Sequence, residues 1–201
     1  MKYEAVIFDI GGVLVRTLDW SKRHQWEERL SLPLDGLSAL VFDTEATRLA
    51  SIGQGSHERI WQMIAETCGL DTDELTRLRE DFWACDTLNE ELVTFMRSLR
   101  PCFKTGILSN AWPELSDMNV QRFGLGGSVD QTAYSFEIGV LKPAPQSFAY
   151  ILDHLGVEAA HSIFVDDFEK NIRGAREMGM TAIRFVDTPQ TIAELRALLA
   201  V

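Results

Sequence analysis

Short apolar runs recur along the chain, each followed by a stretch whose apolar residues fall three or four apart, and this alternation is the strongest limit on how it can fold. Tyr3 to Ile10 reads as a buried strand, and comparable runs stand at Thr105 to Leu108, around Val129 to Tyr134, at Ser162 to Val165 and at Thr181 to Val186. Leu88, Leu92, Phe95, Met96 and Leu99 share one helical face, as do Phe148, Ile151, Leu152 and Leu155, and later Ile192, Leu195 and Leu199. Thr188 before Pro189 suits a helix start, while Gly156 and Gly179 suit helix ends. Strands alternating with helices imply an α/β chain: a doubly wound, Rossmann-like parallel sheet, covered on both faces and joined by right-handed crossovers.

One segment breaks the alternation. Residues 16–86 contain no convincing strand, only amphipathic helical patterns such as Ile60, Ile64 and Cys68, and Leu75, Leu78 and Phe82. Asp71 and Glu74 have the spacing of a capping box. The segment reads as a helical insertion after the first strand, leaving residues 1–15 and 87–201 as one discontinuous sheet domain. The loop GGSVDQ is too short for a domain linker, and no internal repeat appears.

Composition narrows the function classes. With 201 residues and 46% apolar content the chain can bury a sizeable core. Its formal charge of -11 opposes a polyanionic partner, so nucleic acid is not expected. Lys2 and the apolar run after it resemble a signal peptide only briefly, because Glu4 and Asp9 interrupt the run. No stretch reaches the roughly 18 apolar residues of a membrane helix, so a soluble, cytoplasmic protein without a membrane partner is expected. Cys68, Cys85 and Cys102 have no metal or redox spacing and read as core residues in helical or buried segments.

In an open parallel sheet, ligands bind beyond the C-terminal ends of the strands, near the point where strand order reverses. The residues there are Asp9 after the first strand, Ser109 and Asn110 after the second, and Asp166 and Asp167 after the fourth, with Lys142 in a loop ahead of a helix. Taken singly, each has an ordinary structural explanation: a helix cap, a turn former or a solvated lysine.

Together they form the ordered series FDIGGVL, ILSNAW, GVLKPAPQSF and FVDDFEKNIRGAREMGM, which resembles the haloacid dehalogenase-like hydrolase superfamily over residues 1–15 and 87–190. The insertion is then similar to that superfamily's small helical cap. The resemblance implies that Asp9 is a nucleophile forming an aspartyl phosphate, and that Mg2+ is held by Asp9, the Gly11 carbonyl and Asp167, with Asp166 as a more distant or alternate ligand. It also implies that Gly12, Ser109, Asn110 and Lys142 meet the phosphate of a small phosphorylated metabolite.

The sequence departs from that pattern at Gly11, where most phosphatases of this kind carry an aspartate that protonates the leaving oxygen. Three readings are open. A phosphatase could use a substitute acid from the insertion (Asp43, Glu45, His57 or Glu58) or a leaving group that needs little protonation. A dehalogenase needs no such acid, but the retained Asp166 and Asp167 pair favours phosphoryl chemistry. A catalytically silent module could bind a phospholigand or a partner. Ala144 and Asn171 also stand where many members have aspartate, and Trp20, Trp26, Trp61 and Trp83 could line a pocket or a core.

Overall fold

A computed structural model describes residues 2–200. Strand β1 (Ala5–Phe8) opens the chain, followed by the short β2 (Val15–Thr17). Five helices come next: α1 (Ser21–Arg29), α2 (Gly36–Phe42), α3 (Glu45–Ser51), α4 (His57–Cys68) and α5 (Thr72–Ala84). Then follow β3 (Asp86–Leu88), α6 (Glu90–Ser98), β4 (Lys104–Ser109), α7 (Pro113–Gln121), β5 (Gln131–Tyr134) and α8 (Ser135–Ile138). The chain ends with α9 (Pro145–Leu155), β6 (Ser162–Asp166), α10 (Glu169–Glu177), β7 (Thr181–Arg184) and α11 (Thr188–Leu199).

Five strands form one sheet in the order β5-β4-β1-β6-β7, with every neighbour parallel. This is the expected doubly wound α/β fold, and the order reverses at β1. The period-2 rule sorts β1 between the two faces. Val6 and Phe8 join Leu92, Met96, Leu195 and Leu199 of α6 and α11 on one face, while Ala5 and Ile7 join Phe148, Ile151 and Leu155 of α9 on the other.

Sequence periodicity located α4, α5, α6, α9 and α11, but not α1, α2, α3, α7, α8 or α10. The Asp71 and Glu74 capping box forms both of its reciprocal bonds, and Gly156 ends α9 with φ of 61°. Asp187, rather than Thr188, caps α11, placing Pro189 inside the first turn. The segment read as strand-free begins and ends in a two-stranded antiparallel ribbon, with Val15 opposite Leu88 and Thr17 opposite Asp86. Three residues per strand are too few to leave a readable period. Leu88 therefore belongs to the ribbon and not to the helical face of α6. Cys102 is exposed, against the reading of all three cysteines as helical or buried; it follows Pro101 in a turn beyond α6.

The inserted helices build their own apolar cluster, in which Trp26, Leu37, Ile60, Trp61, Ile64, Leu78, Phe82 and Trp83 are buried. Trp112, from the segment just after β4, completes it and is only 1% exposed. Polar contacts brace the same junction. Glu114 accepts from the indoles of Trp61 and Trp112 at 3.2 Å each and from Arg79 Nε at 2.7 Å, and Ser135 donates to the Ser51 carbonyl at 2.6 Å. At the ribbon, Asp86 is paired with the buried Arg23 at 2.7 Å and accepts from Thr17 at 2.6 Å.

Large-to-small changes at a buried aromatic cost about 3–5 kcal/mol through lost transfer energy and the cavity left behind. Trp112→Ala is expected to lower the free energy of unfolding by about that amount, measured by urea denaturation. A loss below about 1 kcal/mol would mean that the indole does not hold the inserted helices to the sheet.

Candidate active site

The strand order brings the chemistry together. β1 lies between β4 and β6, with Phe8 in register with Ile107 and Val165, so Asp9 leaves the sheet beside Ser109 and Asp166. The Asp9 backbone N–H donates to the Val165 carbonyl at 2.9 Å, and its Oδ1 accepts from the Ile10 N–H at 2.7 Å.

Lys142 sits at the centre. It is only 2% exposed, and its Nζ lies 2.8 Å from Asp9 Oδ1 and 2.8 Å from Asp166 Oδ2. Burial by itself pushes a lysine down, but the paired Asp9 and Asp166 carboxylates outweigh it and raise Lys142 above its ordinary value. Asn110 fixes the Lys142 backbone from both sides, accepting from its N–H at 2.8 Å and donating to its carbonyl at 3.2 Å. Ser109 is buried at the end of β4.

Asp166 and Asp167 differ in surroundings. Asp166 is fully buried and accepts from Lys142, from the Phe168 N–H at 2.8 Å and from Asn171 Nδ2, which lies 3.0 Å from each of its oxygens. Asp167 Oδ1 is buried and, among the described residues, has no hydrogen-bond partner. Oxygens of Asp9, Asp166 and Asp167 lie within 4.8 Å of one another.

The two glycines also differ. Gly12 has φ of +76°, and a Cβ there would lie 2.2 Å from Asp167 Oδ2, so only glycine lets the backbone pass this carboxylate. Gly11 lies outside the left-handed region, and a Cβ there would meet no atom within 4 Å.

Site-residue reasoning from the sequence missed Ser135. Its hydroxyl accepts from the Ala111 N–H at 3.0 Å and donates to carbonyls of Ala111 and Ser51, tying the loop after β4 to the inserted helices. It directly follows β5, so the strand-end rule that found Asp9 and Ser109 would have found it too. The Asp167 carbonyl accepts a 3.4 Å bond from Arg184 Nε, and Arg184 had no local signal. Of the acids weighed as substitutes, Glu45 is bound by Arg48, Glu58 faces Ser56 and His57, and Asp43 is exposed; none of them hydrogen-bonds to the site.

A model of haloacid dehalogenase-like hydrolases matches residues 3–179, and the chain belongs to that family. It is 27% identical over 213 residues to bifunctional epoxide hydrolase 2 of Rattus norvegicus, an alignment that covers 97% of this chain and 38% of that protein. The chain thus spans well under half the length of this relative. It is 28% identical to phosphatase MT3486 of Mycobacterium tuberculosis, with 90% of this chain and 87% of that one covered. Among solved structures it resembles a family enzyme of Bacteroides thetaiotaomicron crystallised with magnesium and inorganic phosphate. That match has a TM-score of 0.73 at 18% identity and covers 90% of this chain and 93% of that one. Among the described residues no helix is long and apolar enough to cross a membrane.

Two carboxyl groups here hold protons unusually tightly. Burial, with repulsion from Asp166 and Asp167 outweighing the help of Lys142, raises Asp9 to about 7, and burial with repulsion from Asp166 raises Asp167 to about 6. A raised folded-state pKa gives stability that is complete below the unfolded value and is lost as pH rises through the folded one. Protein freed of divalent cations is therefore expected to show a urea midpoint that falls between about pH 4, near the unfolded carboxyl value, and about pH 7. Asp81, held below its usual range by hydrogen bonds from Lys22 and Trp26, ionises beneath that window and adds no slope. Asp167→Asn should flatten the fall, whereas a wild-type midpoint that rises across the window would contradict the raised values.

Proposed function

We propose that this hydrolase is a Mg2+-assisted phosphatase, acting in the cytoplasm on a small phosphorylated metabolite through an aspartyl phosphate on Asp9. The observation that carries the reading is the buried Lys142 ammonium shared by Asp9 and Asp166, with the unpartnered Asp167 oxygen beside them. A carboxylate that attacks a phosphate dianion meets repulsion, and a buried cation at 2.8 Å is what lowers it.

Three carboxylates face one ammonium, so the donor set is short of positive charge. Mg2+ is a hard cation that takes oxygen ligands and keeps several waters. The orphaned Asp167 oxygen and Asp9, with the Gly11 carbonyl, suit it; Asp166 is already committed to Lys142, Asn171 and the Phe168 N–H. When bound, the ion supplies charge neutralisation for the transferring phosphoryl group. Ser109 and the backbone around Gly12 border the space for phosphate oxygens, and Asn110 keeps Lys142 in place. Asp9 supplies the nucleophilic oxygen, so the displacement is divided between two easier steps.

The inserted residues 16–86 act as a cap over a core of residues 1–15 and 87–201, and the cap limits access of water and of large substrates. A dehalogenase reading has less support, because displacement of halide gives no use for the open carboxylate of Asp167. A silent binding module remains the competing reading, favoured by the missing side chain at Gly11.

Asp9→Asn is expected to reduce phosphate release from small phosphate esters by at least about 10³-fold, as loss of a nucleophile does, with an unchanged circular dichroism spectrum. Full activity in that variant would remove Asp9 as the nucleophile. Chelation should abolish turnover, and Asp167→Asn should raise the Mg2+ concentration needed for half-maximal rate. Full-rate hydrolysis after chelation would dismiss the metal assignment.

A further inference from the structure

We infer that the site is selective for phosphates whose leaving oxygen departs as a stabilised anion, namely acyl, enol, aryl and anomeric sugar phosphates, over phosphates of ordinary alcohols. This rests on the reading of Asp9 as phosphoryl acceptor and goes beyond it to the bond that breaks.

The side chains around Asp9 leave one place bare. At Gly11, two residues along, there is no side chain, and the space where a Cβ would stand has no atom within 4 Å. No other residue has filled the gap. The remaining titratable groups of the site are committed: Asp166 to its three donors, Lys142 to Asp9 and Asp166, and Asp167 to the cation proposed above.

The histidines are engaged elsewhere. His24 stacks on Trp20 and His154 on Tyr150, while His57 pairs with Glu58 at 3.0 Å and His161 with Glu4 at 3.2 Å. Among the described residues, then, no uncommitted acid stands by to protonate a leaving oxygen.

The chemistry must balance without one. An Asp9 oxygen attacks phosphorus and the bond from phosphorus to the leaving oxygen breaks. The electron pair departs with that oxygen, which takes its proton from solvent afterwards. Water then attacks the phosphorus of the aspartyl phosphate, the bond to the Asp9 oxygen breaks, and the water proton goes to solvent. General acid catalysis is worth roughly 10²- to 10⁴-fold, so this sequence penalises an alkoxide heavily and a carboxylate or phenolate little. The second step lacks a general base for the same reason.

The test uses the full chain with Mg2+ and measures kcat/KM for acetyl phosphate, a graded series of aryl phosphates and an alkyl phosphate. A steep fall along the series is expected, with the alkyl ester at least about 10²-fold below the aryl ones. A burst of one leaving group per site should precede steady state. Gly11→Asp, which the open space admits, should raise alkyl turnover relative to aryl on the order of 10²-fold, while Gly11→Asn, of the same shape but without an acid, should not.

Alkyl turnover within tenfold of aryl in the wild type would overturn the inference and reveal another acid. A steep fall that Gly11→Asp leaves untouched would equally sink it. Failure on every phosphate by folded protein, acetyl phosphate included, would instead remove the phosphatase reading beneath it.

Discussion

A single buried ammonium organises this molecule. An isolated charge taken out of water costs several kcal/mol even after relaxation, so Lys142 is tolerable at 2% exposure only with Asp9 and Asp166 against it. Their placement follows from strand order, because Phe8 and Val165 are in register and the residues after them emerge side by side. The loop carrying Lys142 is then drawn over the sheet edge and fixed by Asn110. Carboxylates, ammonium and amide depend on one another, and none would be stable where it is with the others removed.

The same interdependence explains why some features were legible in the sequence and others were not. The central strands β1 and β6 could be read because they are buried on both faces and so carry unbroken apolar runs, Ala5 to Phe8 and Ile163 to Val165. Helices such as α9 could be read from their spacing, and α5 from its capping box. Asp9, Ser109, Asn110, Asp166 and Asp167 were picked out by position at strand ends, a rule that needs only the strands.

What could not be read depended on contacts between distant residues. Lys142 taken alone looked like a solvated lysine before proline, and its burial depends on carboxylates 133 and 24 positions away. Trp112 gave no sign that it would leave the sheet segment to complete a cluster of inserted helices, since Phe42 and Trp83 meet it only in the folded chain. The ribbon of β2 and β3 was too short for any period, though Asp86 within it holds the buried Arg23. The unequal burdens of Asp166 and Asp167 likewise required Asn171 and Phe168 to be in place.

Gly11 and Gly12 stand together in the sequence for separable reasons. Gly12 is required by the backbone, since its φ and the adjacent Asp167 oxygen leave no room for a Cβ. Gly11 is under neither constraint: its conformation suits any residue and the space around it is open. The fold would accept a side chain at Gly11, and an acidic one would stand two residues from Asp9, the nucleophile proposed above. On the proposed reading its absence acts on reactivity and not on stability, so the chemistry of the leaving oxygen, more than the shape of the sheet, would set which phosphates such a site turns over.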